Sequence, residues 1–165
     1  MSACVPLVSV GMAVYGDPIY LRQAINDVLS QSYRNLELLI SNDCSPFQEV
    51  RDIIESFAKF DVRIKYFEQQ SNLGPSENIL FVLNQARGKY FFWADEDDSR
   101  SSNFIEELVY EVENQNAVGA IGNVILLQDD CRVQHPPIHY VGNKFVRMAR
   151  YFIRDESSGK ANIVC

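Results

Sequence analysis

Basic charge is scarce in this chain of 165 residues: 15 lysines and arginines stand against 22 aspartates and glutamates, a formal net charge of −7. Phosphate backbones need a basic face, so general nucleic-acid binding is excluded. No apolar run approaches the roughly 20 residues of a membrane-spanning helix. The first residues, Met1-Ser-Ala-Cys-Val-Pro6, carry no basic segment, which reads as a cytoplasmic chain without a signal peptide. Cysteines are few. Cys4, Cys44, Cys131 and Cys165 show no C-x-x-C spacing and read as buried or idle thiols, not as a zinc site or disulfide framework. Also missing are G-x-G-x-x-G, the P-loop signature and the G-x-S-x-G elbow. The two histidines, His135 and His139, flank Pro136-Pro137, which prevents a regular helix from presenting both, so a surface loop is expected. Apolar residues, by contrast, make up 47% of the chain and aromatics 12%, which excludes disorder and suits one domain with a real core.

Strand-like and helix-like stretches alternate. Leu7 to Val14 is a short apolar run with the length of a buried strand. Asp17 before Pro18 predicts a helix N-cap and first position, and Leu21, Ala24, Ile25, Val28 and Leu29 then share a face. Leu36–Ser41 is a second strand. Ser45-Pro46-Phe47-Gln48 predicts a capping box ahead of a helix striped by Val50, Ile53, Ile54 and Phe57. Arg63–Phe67 alternates as a third strand. Asn72-Leu-Gly74-Pro75 turns into a helix carrying Ile79, Val82, Leu83 and Ala86 and expected to end at Gly88. Tyr90–Ala94 is an aromatic strand that runs straight into Asp95-Glu96-Asp97-Asp98. A helix over about 103–116, a fifth strand over 117–127 and a helix over 144–153 complete the expectation, with no repeat or linker between them. Such alternation means a mostly parallel sheet with helices on both faces, and sheets of this kind bind ligands beyond the carboxyl ends of their strands.

Four polar clusters fall at those ends: Tyr15-Gly16-Asp17, Asn42-Asp43, Asn72 with Gly74, and the acidic run at 95–98. Consecutive carboxylates repel, so the run either holds a hard divalent cation, Mg²⁺ or Mn²⁺, together with substrate phosphates, or is a solvated turn favouring the next helix N-terminus. Asp43 either accepts a hydrogen bond from a base N–H or caps the turn before Ser45. Tyr15 either stacks on a planar ligand or packs at the strand end.

Taken in order, Pro6-Leu-Val-Ser-Val-Gly-Met-Ala-Val-Tyr15, Leu21-Arg-Gln-Ala-Ile25 to Val28-Leu-Ser-Gln-Ser-Tyr33, Asn35 to Ser45, Asn72-Leu-Gly74 with Asn78, and Ala86-Arg-Gly-Lys-Tyr90 leading to Trp93-Ala-Asp-Glu-Asp-Asp98 resemble the N-terminal part of the family 2 glycosyltransferases. The resemblance implies a Rossmann-like GT-A fold and inverting transfer of a sugar from a nucleotide-diphosphate donor, UDP favoured, to an acceptor hydroxyl. It implies that Ala13 and Tyr15 line the nucleotide pocket and that Asp43 accepts the base N–H. Asn72, Gly74 and Asn78 belong to the nucleotide-sugar site by the same matching, Asp95 and Glu96 lie near the ribose and the metal, and Asp97, with Asp95, ligates Mn²⁺ or Mg²⁺. Gly16 stands where the family usually has asparagine, and Ala13 where proline or threonine is common. By the same comparison the chain is one domain, 1–165, whose donor half covers about 1–127, while an acceptor part starts near 128 and is cut short. A catalytic base is therefore expected beyond Cys165. The implied partners are a nucleotide-sugar donor and a saccharide or lipid-linked acceptor, with peripheral membrane association and a homo-oligomer left open. Two other readings compete: a non-catalytic nucleotide-sugar-binding or scaffold domain without its acceptor half, and a metal-dependent nucleotidyltransferase. The latter needs a basic glycine-rich loop where Val14-Tyr-Gly-Asp17 is acidic.

Overall fold

The computed structural model describes residues 5–115, 125–128 and 131–134. The chain divides into two compact units, Met1–Glu106 and Glu107–Cys165. In the first, four parallel strands form a sheet in the order β3-β2-β1-β4: β1 Val8–Val14, β2 Leu36–Asn42, β3 Ile64–Glu68 and β4 Tyr90–Trp93. Helices α1 (Leu21–Leu29), α2 (Gln48–Ala58) and α3 (Pro75–Gln85) form the crossovers. The α/β architecture expected from the alternation is the one observed. The chain steps outward from β1 through β2 to β3, then returns across the sheet to β4. Right-handed crossovers therefore put α3 on the face opposite α1 and α2.

The central strands are buried on both faces, which is why β1 and β2 read as apolar runs and not as alternating ones. Val10, Met12, Leu38 and Ile40 are fully buried and share one face, against which Leu21, Ile25, Val28, Val50 and Ile54 of α1 and α2 complete the core. The α3 face is different, since it carries Ser9, Gly11 and Ala13 of β1 beside Glu37, Leu39 and Ser41 of β2. A side chain at Gly11 would meet Phe91 Cζ at 2.5 Å, Val82 Cγ1 at 2.8 Å and Trp93 Cζ3 at 2.9 Å, so only glycine lets these groups close over the strand. Phe91 and Trp93 meet there edge to face, with centroids 4.7 Å apart.

Polar groups on this face are all partnered, as burial requires. The Ser9 hydroxyl donates to Glu37 Oε1 at 2.6 Å, and the backbone N–H groups of Arg87 and Gly88 converge on the same two side chains. The predicted helix end at Gly88 is replaced by this contact. The helix stops at Gln85 with Ala86 extended, and Gly88 is needed because a Cβ there would lie 2.5 Å from the Ser9 nitrogen. Other local expectations also shift. α1 begins at Leu21, because Asp17 accepts the Ile19 N–H at 3.1 Å and caps a turn of its own. Ser45 bonds the Phe47 N–H at 3.2 Å while Gln48 turns forward to Asp52, so no capping box closes. On α3, Val82 is buried together with Asn78, while Leu83 is 44% exposed.

The second unit contains most of α4 (Phe104–Gln115) and an antiparallel pair, β5 (Ile125–Gln128) with β6 (Cys131–Gln134). The fifth strand thus belongs to a separate two-stranded sheet, and residues 117–124 of its expected span lie outside the described residues. The helix expected over 144–153, His135, His139 and the terminal cysteines Cys4 and Cys165 lie outside the described residues.

Candidate functional site

All four polar clusters follow parallel strands at their carboxyl ends, and hydrogen bonds between them join these loops. The Asp43 N–H donates to the Val14 carbonyl at 2.9 Å, extending the β1–β2 ladder by one residue. The Asp43 side chain is buried, and its two oxygens accept the N–H groups of Leu73 at 2.7 Å and Gly74 at 3.0 Å. Gly74 also donates to Asn72 Oδ1 at 2.8 Å. Gly74 has φ 86°, a conformation open to glycine, and caps α3 immediately before Pro75. One carboxylate therefore fixes the 72–74 loop and faces the amino end of a helix, where negative charge is favoured. The turn before Ser45 is capped by the neighbouring Asn42, whose Oδ1 accepts the Ser45 N–H at 2.9 Å.

Asn78 lies deeper. Its Oδ1 accepts the Ser41 hydroxyl at 2.6 Å and its Nδ2 donates to the Ser41 carbonyl at 3.2 Å, while Gln69 donates to the same hydroxyl. Its direct work is to tie α3 to the end of β2. Ala13 is half-buried opposite Ser41 in the ladder, and Tyr15 is 47% exposed, free to meet a ligand.

At the exit of β4, Ala94 still pairs with Gly11, and Asp95–Asp98 then form a turn. Glu96 reaches back over the β1 loop, where its Oε1 accepts the Gly16 N–H at 3.3 Å. A Cβ on Gly16 would lie 3.1 Å from that oxygen. Glu96 Oε2 is buried without a partner. Burial pushes the Glu96 carboxyl above its ordinary range; Asp97 and Asp95 add to this, and the Gly16 and Tyr15 N–H groups oppose it. Burial likewise raises Asp95, with repulsion from Asp98 and Asp97 adding and Arg100 opposing. Asp98 pairs with Arg100 at 3.1 Å, and that guanidinium lies 5.2 Å above the Phe92 ring. The chain thus partly compensates its own acidic run, through an arginine the sequence reading did not single out. Asp97 is exposed and makes no ion pair among the described residues.

The donor chemistry suits a hard divalent cation: oxygens only, an unpartnered buried oxygen, and carboxyls held in mutual repulsion. Among the described residues, however, no three metal-ligating side chains gather into a self-sufficient cage. An ion here would need oxygens from a bound substrate, which is how Mg²⁺-type sites on phosphates are usually completed.

The profile of glycosyl transferase family 2 matches residues 9–164. The chain belongs to glycosyl transferase family 2. A glycosyltransferase of Haemophilus influenzae, itself uncharacterised, is 32% identical over 130 residues, covering 78% of this chain and 40% of that relative. The chain therefore spans less than half the length of that family 2 relative. Among solved structures, the mannosyltransferase PcManGT from Pyrobaculum calidifontis, in complex with GDP-Man and Mn²⁺, superposes with a TM-score of 0.60 at 16% identity, covering 67% of this chain and 33% of its own. Residues 1–349 of TarS from S. aureus, in complex with UDP-GlcNAc, superpose with a TM-score of 0.59 at 20% identity, covering 66% of this chain and 32% of that one. The fold of this family 2 chain is the GT-A fold of those neighbours. Among its described residues no helix is long and apolar enough to cross a membrane.

Proposed function

We propose that this chain forms the donor-binding half, to about residue 127, of an enzyme that moves a sugar from a nucleotide diphosphate to an acceptor hydroxyl with inversion. The observation that carries the reading is the meeting, on one strand-end rim, of the Asp43-held 72–74 loop and an acidic turn pinned to the Tyr15–Gly16 loop by Glu96. In this reading Tyr15 and Ala13 border the nucleotide and Asp43 offers a lone pair to a base N–H. Glu96 directs its unpartnered Oε2 toward the ribose, and Asp97 with Asp95 holds Mn²⁺ or Mg²⁺ against the diphosphate. Such an ion, when bound, supplies Lewis-acid stabilisation of the charge that develops on the leaving diphosphate. The residues present do the rest of the donor half's work: they hold the base, orient the ribose and shield one side of the diphosphate. Deprotonation of the acceptor falls to a base in the acceptor part, beginning near residue 128, and the acceptor is a saccharide or a lipid-linked sugar. The TarS and PcManGT complexes support a nucleotide-sugar donor, UDP-linked in one and GDP-linked with Mn²⁺ in the other.

A thermal-shift panel of nucleoside diphosphates and their sugars, run with and without Mn²⁺, tests this directly. Binding to the native state raises apparent stability by mass action, so one nucleotide should shift the melt, and more so with metal. No shift with any of them would reject the reading and favour a scaffold role.

A further inference from the structure

The segment that follows the acidic turn is held by the end of α1, not by a strand. Asp27 Oδ2 accepts the Ser99 hydroxyl at 2.7 Å and the Arg100 N–H at 3.2 Å. Gln31 is wholly buried. Its Nε2 donates to the Ser101 carbonyl at 2.7 Å and to the Asp27 carbonyl at 3.0 Å, and its Oε1 accepts the N–H of Ile105 in the first turn of α4 at 3.0 Å. Ser32 adds a backbone bond to Ser102 at 2.7 Å and a hydroxyl bond to Glu106 at 2.6 Å. The acidic turn is therefore fixed at one end by β4 pairing with β1 and at the other by this clasp.

We propose that Gln31 and Asp27 are positioning residues for metal coordination by Asp95 and Asp97. The inference rests on the reading of the acidic turn as the metal site. A buried amide without partners would cost several kcal/mol, and packing alone would be better served by leucine or methionine. The amide is at position 31 for its directed bonds, and those bonds end on the chain that carries the ligands. Mg²⁺ accepts little departure from octahedral geometry and Mn²⁺ takes the same oxygen ligands, so carboxylates on a turn depend on whatever holds the turn.

The test uses the whole chain and its Gln31→Met, Asp27→Ala and Asp27→Asn variants. UDP is titrated calorimetrically in Mn²⁺ and in chelator, and amide exchange is followed at Arg100 and Ile105. Supporting residues around metal ligands typically change metal affinity by about 10-fold to 100-fold. Gln31→Met and Asp27→Ala should lose that much of the Mn²⁺-dependent gain in UDP affinity and keep wild-type affinity in chelator, where Asp43 and Tyr15 carry the contact. Asp27→Asn keeps an oxygen able to accept both bonds and should restore most of the gain. A purely structural role would weaken both titrations equally, and that result overturns the proposal. So does a full Mn²⁺ gain in both variants. If the wild type shows no Mn²⁺ gain, the metal reading fails and this inference with it, and exchange at Arg100 and Ile105 would still report whether the clasp exists. Should Gln31→Met not fold, Asp27→Ala, at a half-buried helix position, decides the question alone.

Discussion

Replacing Asp43 by asparagine tests its hold on the 72–74 loop separately from the base contact proposed for it. Each bond from a backbone N–H to a charged acceptor contributes about 1.5–3 kcal/mol. Asp43 makes two, to Leu73 and Gly74. Asparagine keeps one acceptor oxygen and turns an NH₂ group toward the other N–H, so one bond is lost and a buried donor is left facing a donor. The loss should be about 2–4 kcal/mol, to which the missing negative charge at the start of α3 adds a few tenths. For a chain of this size that lowers the melting temperature by about 5–15 °C. Nucleotide affinity should fall as well, by about tenfold to a hundredfold with and without metal, since the base N–H loses a charged acceptor. Asn72→Ala is the comparison, because it removes the exposed Asn72–Gly74 contact while both Asp43 bonds to the loop remain. Calorimetric titration with UDP and a melting curve on each variant decide the matter. A melting point within a degree of wild type would refute the two-bond account of the loop. Intact affinity would refute the base contact, and an equal loss in Asn72→Ala would show that Asp43 acts through the loop.

Asp97→Asn should abolish the Mn²⁺-dependent part of UDP binding while the protein without metal melts no lower than wild type, because one charge leaves a repelling group; calorimetry and a melting curve check both. Cys44 is exposed with φ 56°, a left-handed conformation costing about 1–2 kcal/mol for a residue with a side chain. Cys44→Gly should raise stability by about 0.5–1 kcal/mol in denaturant titration, after subtraction of glycine's extra unfolded-state entropy. Tyr66, which donates to Glu68, has its hydroxyl pushed up to about 12, by burial first and by Glu68 next. The folded state favours the protonated phenol, so the stability this contributes is full below pH 10 and is lost as pH rises from about 10 to 12. Ultraviolet titration of wild type against Tyr66→Phe should show the missing phenolate only at the top of that range.

The sequence made β1, β2 and the α1 and α2 stripes legible because long, strongly buried segments impose their own period. It also made the strand-end clusters legible, since polar residues right after apolar runs have few places to go. What stayed hidden depends on partners far along the chain. Ser9, Glu37 and Ser41 look like ordinary polar interruptions until α3 and the Arg87–Gly88 segment arrive over them. Gln31 follows an amphipathic helix, between Ser30 and Ser32, where a polar residue reads as a solvated end. Leu83 fits the helical period yet remains exposed, because the α3 contact is set by small residues on β1 and by Asn78. Asp17 and Ser45 satisfy N–H groups two residues on instead of helix ends, a choice that turn geometry makes and composition does not.

The order of strands has a consequence for how the molecule comes into being. β1, β2 and β3 are neighbours joined by consecutive crossovers, so their pairing closes comparatively short loops. β4 must come back past them to pair with β1, and the bonds that tie β4 and the segments beside it to the rest of the unit span long stretches: 80 residues from Gly16 to Glu96, 79 from Ser9 to Gly88, 70 from Gln31 to Ser101. Closing such loops carries entropy that local contacts do not repay, which delays them relative to the β1–β3 region. During synthesis the first three strands can associate while the acidic turn is still being made. The side of the rim between β1 and β4 is then the last part of the first unit to acquire its shape, and an interrupted or slowed chain would hold a formed sheet with one open edge, β1, where β4 belongs.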